Sequence, residues 1–179
     1  MQRSFRSAVV ACALVGVAVG SVARVAQSPS AAPLLTLAPG VPTELSPLEL
    51  RDYARAGGHD LFWLGPMAGT RLEVTATVGK GTFVRYVPAG GTLGDPAKPY
   101  TTVATYAVES AYRTAKRSGR QAGALTEKLP SGTLAVWRRE RPTNVFVARP
   151  GSSMLIEIFA PNAADARRLA RSSALELVG

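Results

Sequence analysis

Residues 70–87 read TRLEVTATVGKGTFVRYV, and the fold class follows from them. Leu72, Val74, Ala76 and Val78 alternate with Arg71, Glu73, Thr75 and Thr77. A period of two with one apolar side is the pattern of a half-buried antiparallel strand. Gly79-Lys80-Gly81 supplies a tight turn, and Thr82 to Val87 continues as the returning strand of a hairpin. On this reading Glu73 belongs to the solvated face of its strand.

On the N-terminal side of the hairpin, Ser46-Pro47-Leu48-Glu49 reads as a helix start. Ser46 caps, Pro47 suits the first turn, and Glu49 is placed to reach back to the cap. Leu50, Tyr53 and Ala54 then share one side, Gly57-Gly58 ends the helix, and Asp60 to Leu64 (DLFWL) reads as a strand. On the C-terminal side, Pro88 to Pro99 (PAGGTLGDPAKP) is a long loop, of a kind that is often functional or mobile. Tyr100 to Tyr106 follows as a strand, and Glu109 to Ser118 as a helix with Ala111, Tyr112 and Ala115 inward and Gly119 as terminator. Thr133 to Arg138, Asn144 to Ala148 and Met154 to Phe159 read as three successive strands. Asn162 caps a last helix with Asp165 at its third position, and Leu175 to Val178 can close as a short strand.

The expectation is therefore an α+β domain over residues 46–179. Its antiparallel sheet has about six to eight strands, and two or three helices lie on one face. The segments DLFWLGP (60–66) and NVFVARP (144–150) are each followed by glycine and a hydroxyl residue. They read either as two related β-β units or as ordinary hairpins with the same turn chemistry.

Ahead of the domain, Arg3 and Arg6 precede an uncharged run from Ser7 to Ala23, and the first acidic residue is Glu44. This is the pattern of an export signal or an N-terminal membrane helix, assigned to residues 1–26. As a helix the run spans ~25 Å, slightly under a ~30 Å hydrocarbon core, so both cleavage and retention remain open. If it is retained, the two arginines hold the N-terminus in the cytoplasm and the domain lies outside. Cys12, the single cysteine, lies inside this run. Its lipidation would require the apolar residues to precede it, whereas most of them follow. Pro29, Pro33, Pro39 and Pro42 make residues 27–45 an extended linker.

The segments Leu61-Phe62-Trp63-Leu64-Gly65-Pro66, Val84-Arg85-Tyr86-Val87-Pro88 and Arg149-Pro150-Gly151 resemble exported α+β proteins of high-GC bacteria. The resemblance covers most of the chain after Ser46. It implies export and carries no activity or site residue with it.

Chemistry is sparse. With no cysteine in the folded part, a disulfide, a thiolate metal site and a cysteine nucleophile are excluded there. His59 is the only histidine. Without a Gly-x-Ser-x-Gly elbow it reads as a helix-end imidazole rather than half of a triad. Gly79-Lys80-Gly81-Thr82 has Val74 where a phosphate loop needs glycine, and it joins strand to strand. The acidic residues show no calcium or glycosidase spacing, and Glu157, like Glu73, is expected on a solvated face. No metal or cofactor is expected.

The net charge of +9 points to anionic surroundings. Arg113, Arg117 and Arg120 recur at helical spacing, although Gly119 ends the helix before Arg120; Arg138, Arg139 and Arg141 surround a hairpin turn, and Arg167, Arg168 and Arg171 line the last helix. They read as an anion-binding set for envelope lipid or polymer, or as dispersed solubilising charge. Phe62 and Trp63 are the apolar candidates, either as core or as a ligand pocket. The function expected first is a non-catalytic binding or interaction module in the cell envelope, attached through its N-terminal segment or docking on an anionic surface or a protein partner. A small-ligand or lipid-binding domain is second and an enzyme third. Nucleic acid is not an expected partner for an exported chain.

Overall fold

The computed structural model describes residues 35–178. The uncharged run, Cys12 and residues 27–34 of the Pro-rich stretch lie outside these. Among the described residues no helix is long and apolar enough to cross a membrane.

The chain order is β1 (Thr43–Leu45), α1 (Pro47–Gly57), β2 (Phe62–Trp63), β3 (Thr70–Thr77), β4 (Gly81–Pro88), β5 (Thr102–Ala107), α2 (Ala111–Ser118), β6 (Ala124–Lys128), β7 (Leu134–Arg138), β8 (Arg141–Ala148), β9 (Met154–Phe159), α3 (Ala163–Ala170) and β10 (Glu176–Leu177). Eight strands form one antiparallel sheet in the order β1-β3-β4-β5-β9-β8-β7-β6, and β2 pairs with β10 in a separate small ladder. The α+β class holds.

The local chemistry works as the residue types require. The Ser46 hydroxyl accepts from the Glu49 amide, and the Glu49 carboxylate accepts from the Ser46 amide at 2.8 Å. Asn162 caps α3 by accepting from the Ala164 and Asp165 amides. Gly58 ends α1 in the left-handed region at φ 59°, and the His59 amide closes the turn on the Ala54 carbonyl. Gly119, by contrast, is right-handed at φ −66°. Its lack of a side chain serves a close approach instead, because a Cβ there would lie 2.5 Å from the Thr126 methyl group.

The core is organised by one row of directly paired residues. Val74, Val84, Val103, Ile158 and Val145 face each other across five strands, each with 0% exposure. Their side is covered by Leu50, Tyr53 and Ala54 of α1 and by Ala166, Leu169 and Ala170 of α3. The β2-β10 ladder lies on the same side. The Phe62 amide donates to Thr105 Oγ1 at 2.9 Å, and the Leu64 amide donates to the Tyr86 hydroxyl at 2.6 Å.

Two helices, α1 and α3, share a face, within the expected two or three; α2 lies on the other side, where Ala115 packs with Val136, Ala148 and Leu155, whose parity along β7, β8 and β9 puts them opposite the valine row. Three expectations are corrected. Residues assigned to the linker belong to the sheet: Leu37 is in the core, and Thr43–Leu45 pair with β3. Val78, expected on the core face, sits at the hairpin tip and is 82% exposed. The segments 60–66 and 144–150 are not equivalent units, since β2 pairs with β10 whereas β8 lies between β7 and β9 within the sheet.

Candidate functional site

The two sides of the sheet differ in how fully they are covered. The valine side is closed by α1, α3 and the small ladder. On the other side α2 covers the β7-β9 end, and the loop of residues 89–101 folds under the β3-β4 end. That loop is held by Arg71 Nη2 to the Gly91 carbonyl at 2.8 Å, by Arg85 Nη2 to the Asp95 and Lys98 carbonyls, and by the Gly94 amide to Glu73 Oε2 at 2.5 Å. It is pinned along its length rather than hanging free. Glu73, expected on a solvated face, is 1% exposed because this loop lies over it.

Between the two covers the sheet stays open, and its rows can be read from the register. Phe83, Ala104, Glu157 and Phe146 form one row over β4, β5, β9 and β8. Arg85, Thr102, Phe159 and Asn144 form the next on the same side. Alanine between phenylalanine and glutamate leaves a depression of about 190 Å³, bounded by Phe83, Thr102, Glu157 and Phe159. Glu157 is half-buried. The Tyr106 hydroxyl donates to its Oε2 and the Asn144 amide group to its Oε1, both at 2.5 Å. Thr143 Oγ1 in turn donates to Asn144 Oδ1 at 3.2 Å, which fixes the amide. Burial first, and then the adjacent carboxylate, raise the Tyr106 phenol far above the usual tyrosine range. The Phe83 ring meets the Tyr106 ring edge to face at 5.9 Å.

This site was missed by sequence reasoning. The available signal was parity: Phe83 and Phe159 alternate with buried residues on their strands, so two aromatic rings occupy what was read as the solvent side.

The basic residues divide between the two faces. Arg113 and Arg117 are exposed on α2. Arg138 Nη1 donates to Gln121 Oε1 just beyond that helix at 3.1 Å, and the Arg139 amide donates to the Gly123 carbonyl. The C-terminal end of α2 therefore adjoins the β7-β8 turn, bringing Arg117, Arg138, Arg139 and Arg141 to one end of the sheet. Arg113 stands one turn further along α2. Arg138 is paired with Glu140 at 2.6 Å, whereas Arg113, Arg117, Arg139 and Arg141 have no ion pair among the described residues. The α3 arginines lie on the opposite side, where Arg171 pairs with Glu127 at 2.6 Å, Arg168 pairs with Asp165, and Arg167 stacks over Trp137.

Phe62 and Trp63 are core. Trp63 is 0% exposed, with Nε1 donating to Glu176 Oε1 at 3.1 Å. Arg51 lies over its ring, and Arg149 lies over Phe62 at 4.7 Å. The space expected for a ligand is filled by protein. His59 is exposed and stacks on Tyr53 with ring centroids 4.9 Å apart, at the rim of a cleft that also includes Lys80 and Thr82. Among the described residues no three His, Cys, Asp or Glu side chains converge as a metal site. No family model, curated protein or solved structure matches the chain.

Proposed function

We propose that the chain works outside the cytoplasm, carried there by its first two dozen residues. Its domain is a non-catalytic module that docks on anionic envelope lipid or polymer through the end of the sheet bearing Arg117, Arg138, Arg139 and Arg141. The observation that carries this reading is the meeting of the α2 terminus with the β7-β8 turn, which joins two arginine groups distant in sequence. Each arginine near an anionic surface contributes about 1 kcal/mol, so Arg117 and Arg139, with Arg141 only partly offset by the nearby Glu140, produce measurable, salt-sensitive retention. The filled surroundings of Phe62 and Trp63 favour this reading over an interior lipid site. The resemblance to exported proteins points the same way.

Two measurements test it. Fractionation of the native host with intact-mass analysis is expected to find the protein processed or membrane-bound. Full-length, unprocessed protein in the cytosol overturns the location and makes nucleic acid a partner to test. For docking, a chain beginning at Pro33 is expected to sediment with phosphatidylglycerol vesicles at low salt and not with phosphatidylcholine vesicles. A soluble polyanion competes if polymer is the native surface. Arg117→Glu, Arg139→Glu and Arg141→Glu together are expected to abolish sedimentation, and unchanged sedimentation overturns the assignment.

A further inference from the structure

The depression over Ala104 has a chemistry of its own, independent of where the protein resides. Arginine is abundant in this chain, and Glu44, Asp52, Glu73, Glu127, Glu140 and Asp165 each have one within salt-bridge range. Glu157 does not. Its two hydrogen-bond donors, Tyr106 and Asn144, are neutral, so they orient the carboxylate without cancelling its charge. A carboxylate has about four acceptor positions, and these donors use two of them.

The walls reinforce that charge. Phe83 and Phe159 flank the depression on neighbouring rows. Aromatic faces attract cations, most strongly where water is partly excluded. Ala104, only 2% exposed, forms the floor between the flanking side chains, and a larger side chain there would project into the space. A volume of about 190 Å³ equals that of roughly six waters, enough for a charged head and a few methylene groups but too small for a fused ring system. An anion is repelled by Glu157, while a neutral apolar group would cover the carboxylate without compensating it.

We propose that this depression receives an alkylammonium group, with Glu157 as its counter-ion and Phe83 and Phe159 as its aromatic walls. The same chemistry is found in a lysine side chain and in an amine lipid headgroup.

The test is a titration of the isotope-labelled full chain in maltoside micelles, followed by amide shifts. The probe is n-butylammonium, with n-butanol as a neutral control of equal size. Saturable shifts centred on Phe83, Ala104 and Glu157 are expected with the amine and not with the alcohol. Glu157→Gln and, independently, Ala104→Leu are each expected to weaken binding at least tenfold, whereas Arg113→Gln leaves it unchanged. Should Glu157→Gln disturb the strand, Ala104→Leu still decides, because it fills the depression without touching the hydrogen bonds. Equal shifts with amine and alcohol, shifts centred elsewhere, or undiminished binding by Ala104→Leu overturn the proposal. Nα-acetyl-lysine amide and phosphoethanolamine then separate the sources. Preference for the first identifies a protein side chain, and preference for the second a lipid headgroup.

Discussion

Glu73 Oε1 lies 2.6 Å from Arg85 Nη1 on the neighbouring strand, with 1% of the glutamate side chain and 17% of the arginine exposed. The two residues are direct partners across β3 and β4. The glutamate also accepts from the Gly94 amide, while the arginine donates to two further carbonyls of the 89–101 loop and lies over the Tyr100 ring. One buried ion pair thus holds a Pro/Gly-rich loop against the sheet and forms one border of the open surface.

Arg85→Met is expected to destabilise the protein by about 3 kcal/mol, the usual cost of leaving one member of a buried pair without its partner. Urea denaturation measures the loss. Hydrogen exchange at the Gly94 amide should accelerate beyond what the global loss explains, since its acceptor is released as well. A Glu73→Leu, Arg85→Met double variant should cost less than the sum of the two single changes.

Tyr86 is the hinge pin of the small ladder, because its buried hydroxyl accepts from the Leu64 amide. Tyr86→Phe leaves that donor unsatisfied and is expected to cost about 1–3 kcal/mol at neutral pH. Burial raises the phenol well above its ordinary value of 10.0. A raised folded value means that the contribution is complete below pH 10 and is lost as pH climbs from there toward the folded value. The gap in denaturation midpoint between wild type and Tyr86→Phe should therefore narrow in alkali.

How much of this was legible in the sequence varies by element. Period-two patterns located β3, β4, β7, β8 and β9, and cap residues located α1 and α3, because those signals are local. The burial of Glu73 was not legible, since it depends on where a loop some twenty residues away folds back. Strand β6 (ALTEK) is a short edge strand made of residues that favour helices, and it was not anticipated. The side on which α2 packs is set by the crossover from β5, a central strand, to β6 at the far edge. Glu157, Tyr106 and Asn144 sit on three strands, and only the pairing of β5 with β9 and of β9 with β8 brings them together.

Gly79 and Gly81 both have positive φ, yet they should respond differently to alanine. At Gly79 (φ 69°) a Cβ meets open space, so Gly79→Ala costs only the left-handed backbone preference, about 1–2 kcal/mol. At Gly81 (φ 119°) the Cβ would lie 2.4 Å from the Thr105 carbonyl oxygen, and the β4-β5 pairing must shift. Gly81→Ala is expected to exceed the Gly79→Ala loss by at least about 1 kcal/mol in thermal denaturation. Equal losses would mean that the hairpin is not seated against β5.

Acid should unfold the domain through identifiable carboxylates. The Arg171 hydrogen bonds hold Glu127 below its ordinary value of 4.5, and the Ser46 side chain and amide do the same for Glu49. A depressed folded value means that the contribution is present above pH ~4.5 and disappears as pH falls through the folded value, because the unfolded chain takes up the protons first. The wild-type midpoint temperature should therefore drop between pH ~5.5 and ~3. A Glu49→Gln, Glu127→Gln double variant should begin lower at pH 6 and fall less over the same interval. Glu127 joins β6 to the end of α3, whereas Glu49 acts within α1 alone. Of the two single variants, Glu127→Gln should therefore also loosen the β6 edge, read as faster amide exchange at Leu125 and Glu127.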